Sequence, residues 1–228
     1  MPAPLLQIAP VPDLVDQVYR GLLNAICNGT LAPGERLAQE DIAQRMDVSR
    51  QPVLQALRLL KKDGLVQDAQ GRGVQVTPLD PAWTRKVYEV RGALDALAAR
   101  LAAQRRFRVP AQLIQDGRHA VHSGDVQAMI DADVAFHSAI YVASGNELIV
   151  QSAERHWMHL RRAMGAVLRS QAHHDKLWDE HESIAMAIAG GNASQASQSS
   201  EDHTARASKA LDDRLTQLLA PRVQGDRS

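Results

Sequence analysis

Apolar side chains recur at helical spacing between Asp13 and Asn28, at Leu14, Val15, Val18, Leu22, Ala25 and Ile26. This predicts an amphipathic helix with Asp13 as its N-cap and Gly29 as its stop. The stretch "LAPGERL" reads as a turn. A short helix follows from about Gln39 to Met46, with Ile42, Ala43 and Met46 inward, and Asp47-Val48 turns the chain again. Ser49 caps a longer helix that runs to about Asp63, where Gly64 ends it. The period then changes. Leu65 to Gln67 and Val74 to Thr77 read as two short strands, and the glycine-containing "DAQGRG" between them reads as a hairpin loop. Three helices followed by a hairpin make a winged helix-turn-helix.

The proline-bearing "TPLDP" at 77–81 marks a boundary, after which the pattern is helical throughout. Six helices are expected: Ala82–Gln104, Pro110–Ser123, Val126–Ser144, Glu147–Arg169, Asp175–Ala189 and Ala193–Leu219. Breaks fall at "RVP", "SGD", "SGN", "SQAHH" and "GGN". The expected organisation is a flexible arm at 1–12, a winged helix-turn-helix at 13–77, a linker at 78–81, a helical domain at 82–220 and a tail at 221–228. The fold class is mainly α, with the winged helix joined to an all-α antiparallel bundle.

Composition supports helices. Hydrophobic residues make up 45% of the 228 positions and aromatic ones only 4%, an aliphatic bias that suits packed helices. Lys plus Arg and Asp plus Glu each number 26, so contact with nucleic acid must come from local clustering of charge. The single cysteine, Cys27, excludes an internal disulfide and reads as a buried structural thiol in a reducing compartment. The first residues lack a basic region and a long apolar run. The expectation is a soluble cytoplasmic protein without a membrane partner, on the nucleoid when bound to DNA.

On the helix from Ser49, Val53, Ala56, Leu57 and Leu60 share the packed face. Arg50, Leu54, Arg58 and Lys61 share a neighbouring one. Arg50 and Gln51 lie in the first turn, the part of a recognition helix that meets base edges, where Arg pairs with guanine and Gln with adenine. Arg58, Lys61 and Lys62 lie further along, where they reach phosphates or only water. Pro52 is tolerated so early in the helix, and it leaves the Gln51 N–H as the capping target of the Ser49 hydroxyl.

The run "GTLAPGERLAQEDIAQRMDVSRQPVLQALRLLKKDGLV…GRGVQV" resembles the amino-terminal domain of GntR-family bacterial transcription regulators, over about residues 12–77. The resemblance implies a homodimer on a short palindromic operator in double-stranded DNA. It also implies DNA contacts by Arg36, by Arg50 and Gln51 at the helix start, and by Arg72 and Gly73 in the wing; Ser49 at the cap and Arg58 further along the helix are expected on the same DNA-binding surface. Two positions depart from the family pattern. Leu54 stands where arginine is usual, and there it either meets a thymine methyl or packs sideways. Ala38 stands where a polar helix cap is more usual.

Most of the nine histidines fall in polar contexts: His119, His122, His156, His159 and the pair His173-His174 read as surface residues, with His159 able to face a pocket. Three differ. Asp133 and His137 are four apart, on a helix face shared with Ile130 and Ile140. His181 shares its face with Ile184, Ala185 and Ile188, and His203 with Ala207 and Ala210. Polar groups on apolar faces need partners. Two arrangements supply them: a metal centre inside the bundle, or a hydrogen-bonded Asp–His cluster. The zinc-protease pattern fails, because Ala185 stands where its second histidine belongs.

Residues 82–219 resemble the all-helical effector domain of the FadR-like (FCD) branch of the same family, in its shorter, VanR-like form. Asp133, His137, His181 and His203 match in order the metal ligands of that branch, which implies a divalent ion, zinc or nickel. "YEVRGALDALAARLAA" resembles the first effector-domain helix, and Arg91 matches an arginine that often faces the ligand cavity. Asp95 stands where Glu is commoner. Arg91 is then either the anchor for the carboxylate of a small organic acid or a member of an ion pair. The reading is a ligand-responsive transcription regulator, a repressor that is not an enzyme. Two other readings use the same residues: a winged-helix protein-interaction module without DNA binding, and a metal-dependent enzyme at the Asp/His site.

Overall fold

The computed structural model describes residues 14–168 and 175–220. The arm at 1–12, the Asp13 cap, the His173-His174 pair and the tail from 221 lie outside the described residues. The chain forms two compact units. One comprises residues up to Ile26 together with Thr30–Pro78, and the other comprises Cys27–Gly29 and the chain from Leu79 onward.

The first unit holds α1 (Leu14–Cys27), β1 (Arg36–Leu37), α2 (Gln39–Arg45), α3 (Arg50–Lys62), β2 (Val66–Asp68) and β3 (Val74–Val76). Its core is the set that the periodicity marks, with Val18, Leu22, Ile26, Ile42, Val53, Ala56, Leu57 and Leu60 all buried. Asp47 takes a left-handed backbone, with φ of 52°, in the turn between α2 and α3. The three strands form one antiparallel sheet in the order β1-β3-β2, with Leu37 opposite Val74 and Val66 opposite Val76.

Strand β1 was not expected, because two residues inside a glycine-containing turn carry no periodicity. It forms because the turn is closed locally. The Ala32 N–H donates to Glu35 Oε2 at 2.7 Å, and the Val76 N–H donates to the Glu35 carbonyl at 2.9 Å. A second correction concerns Ser49. It holds the N-cap position of α3 with an extended backbone, but its hydroxyl makes no capping bond. Pro52 removes one of the two donors such a hydroxyl ordinarily serves, and the Gln51 N–H is not taken up. Ala38 caps α2 with no side-chain bond either.

The second unit is helical: α4 (Pro81–Gln104), α5 (Ala111–Ser123), α6 (Val126–Ala143), α7 (Glu147–Val167), α8 (Asp175–Ala189) and α9 (Ala193–Leu219). These are the expected elements, with ends shifted by a residue or two. The break at "SQAHH" and the expected helix end at Arg169 lie outside the described residues, and several of the other breaks have a local cause. Asp80 caps α4 by accepting from the Ala82 N–H, Asp125 caps α6, Asn146 caps α7, and Gly124 leaves α5 in the left-handed region with φ of 72°. Helix α4 runs beside α9 and also packs on α6, α7 and α8. Small residues make this possible: Ala98, Ala99, Ala102 and Ala103 are fully buried, so neighbouring backbones approach closely. Cys27 is partly exposed rather than enclosed.

Helices α5 and α8 meet closely at Gly117. A Cβ built on Gly117 would lie 1.9 Å from the ring of Trp178, a side chain with 1% exposure. Gly117→Ala is therefore expected to destabilise the helical unit by about 1–3 kcal/mol through overpacking. Chemical denaturation checks this, and an unchanged midpoint would contradict the packing.

Candidate metal centre and DNA-reading surface

Helices α6, α8 and α9 each bring a histidine to one point. His137, His181 and His203 are all buried, and their ligating nitrogens lie within 4.8 Å of one another. His181 Nε2 is 3.2 Å from His203 Nε2. Asp133, one turn before His137, places Oδ1 at 3.3 Å from His181 Nε2 and 3.8 Å from His137 Nε2. The four residues read from the sequence thus converge, with the histidines as a close triad and the carboxylate at its side.

The rings are held by packing. His181 stacks on Phe136 at 4.3 Å between centroids, with the edge of Trp178 at 4.6 Å. His203 Nδ1 lies 2.8 Å from Glu180 Oε2, so the carboxylate takes the Nδ1–H and leaves Nε2 as a lone pair directed at the cluster. Glu180 also accepts from Arg206 Nε at 2.6 Å. Burial alone would raise the Glu180 carboxyl, but the bonds from His203 and Arg206 hold it below its ordinary range.

The electrostatics favour neutral imidazoles at His137 and His181. Burial pushes His137 and His181 well below the usual histidine range, and the nearby Arg91 and the other histidines add to this. Burial raises Asp133, partly offset by Arg91 and His203. Asp133 Oδ1 and His137 Nε2 have no hydrogen-bond partner although they are fully buried. A hydrogen bond between His181 and His203 alone would leave both of those atoms unsatisfied. A cation among the four side chains would satisfy them together, and neutral imidazole with carboxylate is a suitable donor set for a divalent transition metal. The residues present therefore fit the group that the resemblance implies.

Beside this point lies a buried ion pair, one of the two roles the sequence leaves open for Arg91, with Asp95 as the partner that the sequence does not name. Arg91 Nε is 3.1 Å from Asp95 Oδ2, with both side chains almost fully enclosed. Asp95 also accepts from the Tyr141 hydroxyl and, at 3.2 Å, from Thr204 Oγ1. Its Oδ2 lies 3.8 Å from His137 Nδ1. Trp157 covers the guanidinium, 4.0 Å from Arg91 Cζ to the ring centroid. Burial disfavours the Arg91 charge, but Asp95, the phenols of Tyr141 and Tyr88, and Asp133 outweigh it, so Arg91 stays protonated. The spacing of four between Arg91 and Asp95 was the available signal, since it places both on one helix face. Glu180 gave none, because nothing in its local pattern shows that it reaches α9.

Arg91, Asp133, His203, Glu180 and Arg206 line a cavity of about 200 Å³ together with Arg214 and apolar side chains that include Met164, Val167 and Leu211. Arg91 Nη2 has no hydrogen-bond partner. His156 and His159, expected on the surface, are half-buried, and His159 meets the edge of Trp83. His119 and His122 are exposed as expected.

In the winged helix, the predicted reading residues are exposed: Arg36, Ser49, Arg50, Gln51, Arg58, Arg72 and Gly73. Leu54 is half-buried. Arg50 pairs with Glu40 of α2 at 2.9 Å, and Lys61 pairs with Asp68 of β2 at 2.7 Å. Arg36 Nη2 donates to the Gln70 carbonyl at 2.6 Å, which ties β1 to the wing loop. Arg72 stands between Gly71 and Gly73, both with φ of 96°.

Residues 14–76 match the family described as bacterial regulatory proteins, gntR family, and residues 86–206 match the FCD domain. The chain belongs to the GntR family and carries an FCD domain. The HTH-type transcriptional regulator LutR of Bacillus subtilis (strain 168) is 33% identical over 199 residues, covering 75% of this chain and 89% of LutR. The uncharacterized HTH-type transcriptional regulator YdhC of the same organism is 31% identical over 135 residues, covering 57% of this chain and 60% of YdhC. The crystal structure of a GntR transcriptional regulator from Rhodococcus sp. RHA1 superposes with a TM-score of 0.75 at 26% identity, over 86% of this chain and 96% of that one. This family consists of DNA-binding transcription regulators, not enzymes, and a winged helix followed by a helical effector domain is the architecture found here. Among the described residues no helix is long and apolar enough to cross a membrane.

Asp95 is the partner that keeps Arg91 from being an isolated buried charge. Asp95→Ala is expected to cost about 3–5 kcal/mol, because removing one member of a buried pair strands the other. Denaturant titration checks this, and a loss below about 1 kcal/mol would show that water or another group compensates Arg91.

Proposed function

We propose that the protein is a metal-containing, effector-responsive repressor that binds operator DNA as a homodimer. The observation that carries the metal reading is the convergence of three buried histidine nitrogens beside Asp133, with Asp133 Oδ1 and His137 Nε2 otherwise unsatisfied. Asp133, His137, His181 and His203 would hold zinc or nickel. When bound, the ion supplies a Lewis-acidic position that fixes a ligand oxygen. The effector is a small organic acid. The support is the 200 Å³ cavity, which has an apolar wall, and the buried Arg91 with its Nη2 unpartnered. Arg91 orients the carboxylate, Asp95 keeps Arg91 in place, and the apolar wall excludes water and selects by shape.

Arg50 and Gln51 read base edges in the major groove, with Ser49 beside them at the helix start. Arg58 meets the phosphate backbone, and Arg36, Arg72 and Gly73 place the wing. Two subunits on a palindrome put two such helices one helical turn apart. Repression relieved by effector follows the commoner pattern of the family. The coupling between effector and DNA then amounts to typically ~1–3 kcal/mol.

Two experiments test the two halves. His137→Ala combined with His181→Ala is expected to abolish stoichiometric metal on the purified protein; full retention by elemental analysis would refute the centre. Arg50→Ala is expected to weaken operator binding and to relax selectivity at one base pair, worth about 1–3 kcal/mol of discrimination. Unchanged selectivity in a binding-site selection would remove Arg50 from the reading surface. Leu54→Arg extends the second test: unchanged affinity and base preference would show that position 54 does not face the operator.

A further inference from the structure

Glu180 occupies an unusual position, with one carboxylate oxygen on the cluster and the other on the cavity. Its Oε2 takes the His203 Nδ1–H at 2.8 Å, and its Oε1 takes the Arg206 Nε–H at 2.6 Å. His203 is buried, Glu180 is about a quarter exposed, and Arg206 is more than half exposed. All three line the 200 Å³ cavity. A carboxylate bonded to the far nitrogen of a metal-ligating histidine fixes its tautomer and increases the electron density on the ligating nitrogen. A cation on the same carboxylate opposes that effect, because it draws charge towards the other oxygen.

We propose that Glu180 is a positioning residue that links the cavity to the metal centre, with Arg206 as the arm that senses an anion. The proposal rests on the metal-centre reading. An anionic effector in the cavity is attracted to Arg206 and neutralises it. Glu180 is then released to bond more fully to His203, and the hold of His203 on the ion tightens. By reciprocity, metal in the centre tightens effector binding by the same factor. The arrangement makes metal loading and effector binding mutually reinforcing, through three side chains and no movement of a helix.

The test uses the full chain and zinc alone, titrated in competition with a chromogenic chelator. Glu180→Gln keeps the size of the side chain but removes the charge, and the zinc dissociation constant is expected to rise by about 10–100-fold. Arg206→Gln imitates neutralisation by an anion, and the constant is expected to fall several-fold. Opposite signs from two contacting residues distinguish coupling from a merely structural role, which would weaken zinc in both variants. Arg206 is exposed enough that its replacement leaves the fold intact, so the proposal stays testable if Glu180→Gln unfolds. Wild-type binding with both variants within about twofold of it would overturn the link and leave the metal centre standing. Failure of the wild type to bind zinc or nickel would overturn the centre itself, and the link with it.

Discussion

The helical domain is organised around a single cost, the burial of charge and polarity inside an apolar bundle. Arg91, Asp95, Asp133 and three histidines all lie within it, each less than a tenth exposed. Isolated charges there would cost several kcal/mol each. The surrounding structure compensates them. Asp95 balances Arg91, Tyr141 and Thr204 satisfy Asp95, and Trp157 covers the guanidinium face. Four helices contribute to this network, α4, α6, α7 and α9, and α4, the helix carrying both charges, packs on the other three. The runs of alanine on α4 serve that end, because they let the neighbours come close enough for short side chains to meet.

What this compensation leaves over is the histidine cluster beside Asp133. The charge pair is balanced by protein groups alone, but Asp133 Oδ1 and His137 Nε2 are not. These two buried atoms flank the convergent histidine nitrogens, where a bound cation would satisfy both together. The same argument applies to Arg91, whose Nη2 faces no acceptor while the residue borders a cavity. The winged helix distributes charge differently. Its cations are exposed and weakly paired, as with Arg50 and Glu40, so exchanging a carboxylate for a base edge or phosphate costs little.

Much of this was legible because helical periodicity is a strong signal. The faces of α6 and α8 followed from spacing, and Asp133 and His137 stood out as polar residues in an apolar stripe. The turn-helix-hairpin order gave the winged helix. Other features were not legible, for identifiable reasons. Strand β1 is two residues long, too short for any period. The Ser49 hydroxyl was expected to bond because the position is right, yet position does not set a rotamer. His156 and His159 looked exposed from polar neighbours in sequence, but α4 lies against α7 and covers them in part. Asp95 was noticed only as a departure from a family pattern, and its role appears once Tyr141 and Thr204, 46 and 109 residues away, are brought beside it. Glu180 is the same case: partners contributed by another helix leave no local trace.

The central claim is that a divalent ion completes the buried cluster. Thermal unfolding of the chelator-treated protein, with and without zinc, tests it most directly. Ligand that binds only the folded state adds stability by mass action, about 2.7 kcal/mol at a free concentration 100 times the dissociation constant. With zinc, the transition of the helical domain is expected to move up by several degrees, and to stay unmoved in the His137→Ala, His181→Ala variant. An identical transition with and without zinc or nickel, in a protein that contains no metal as isolated, would contradict it.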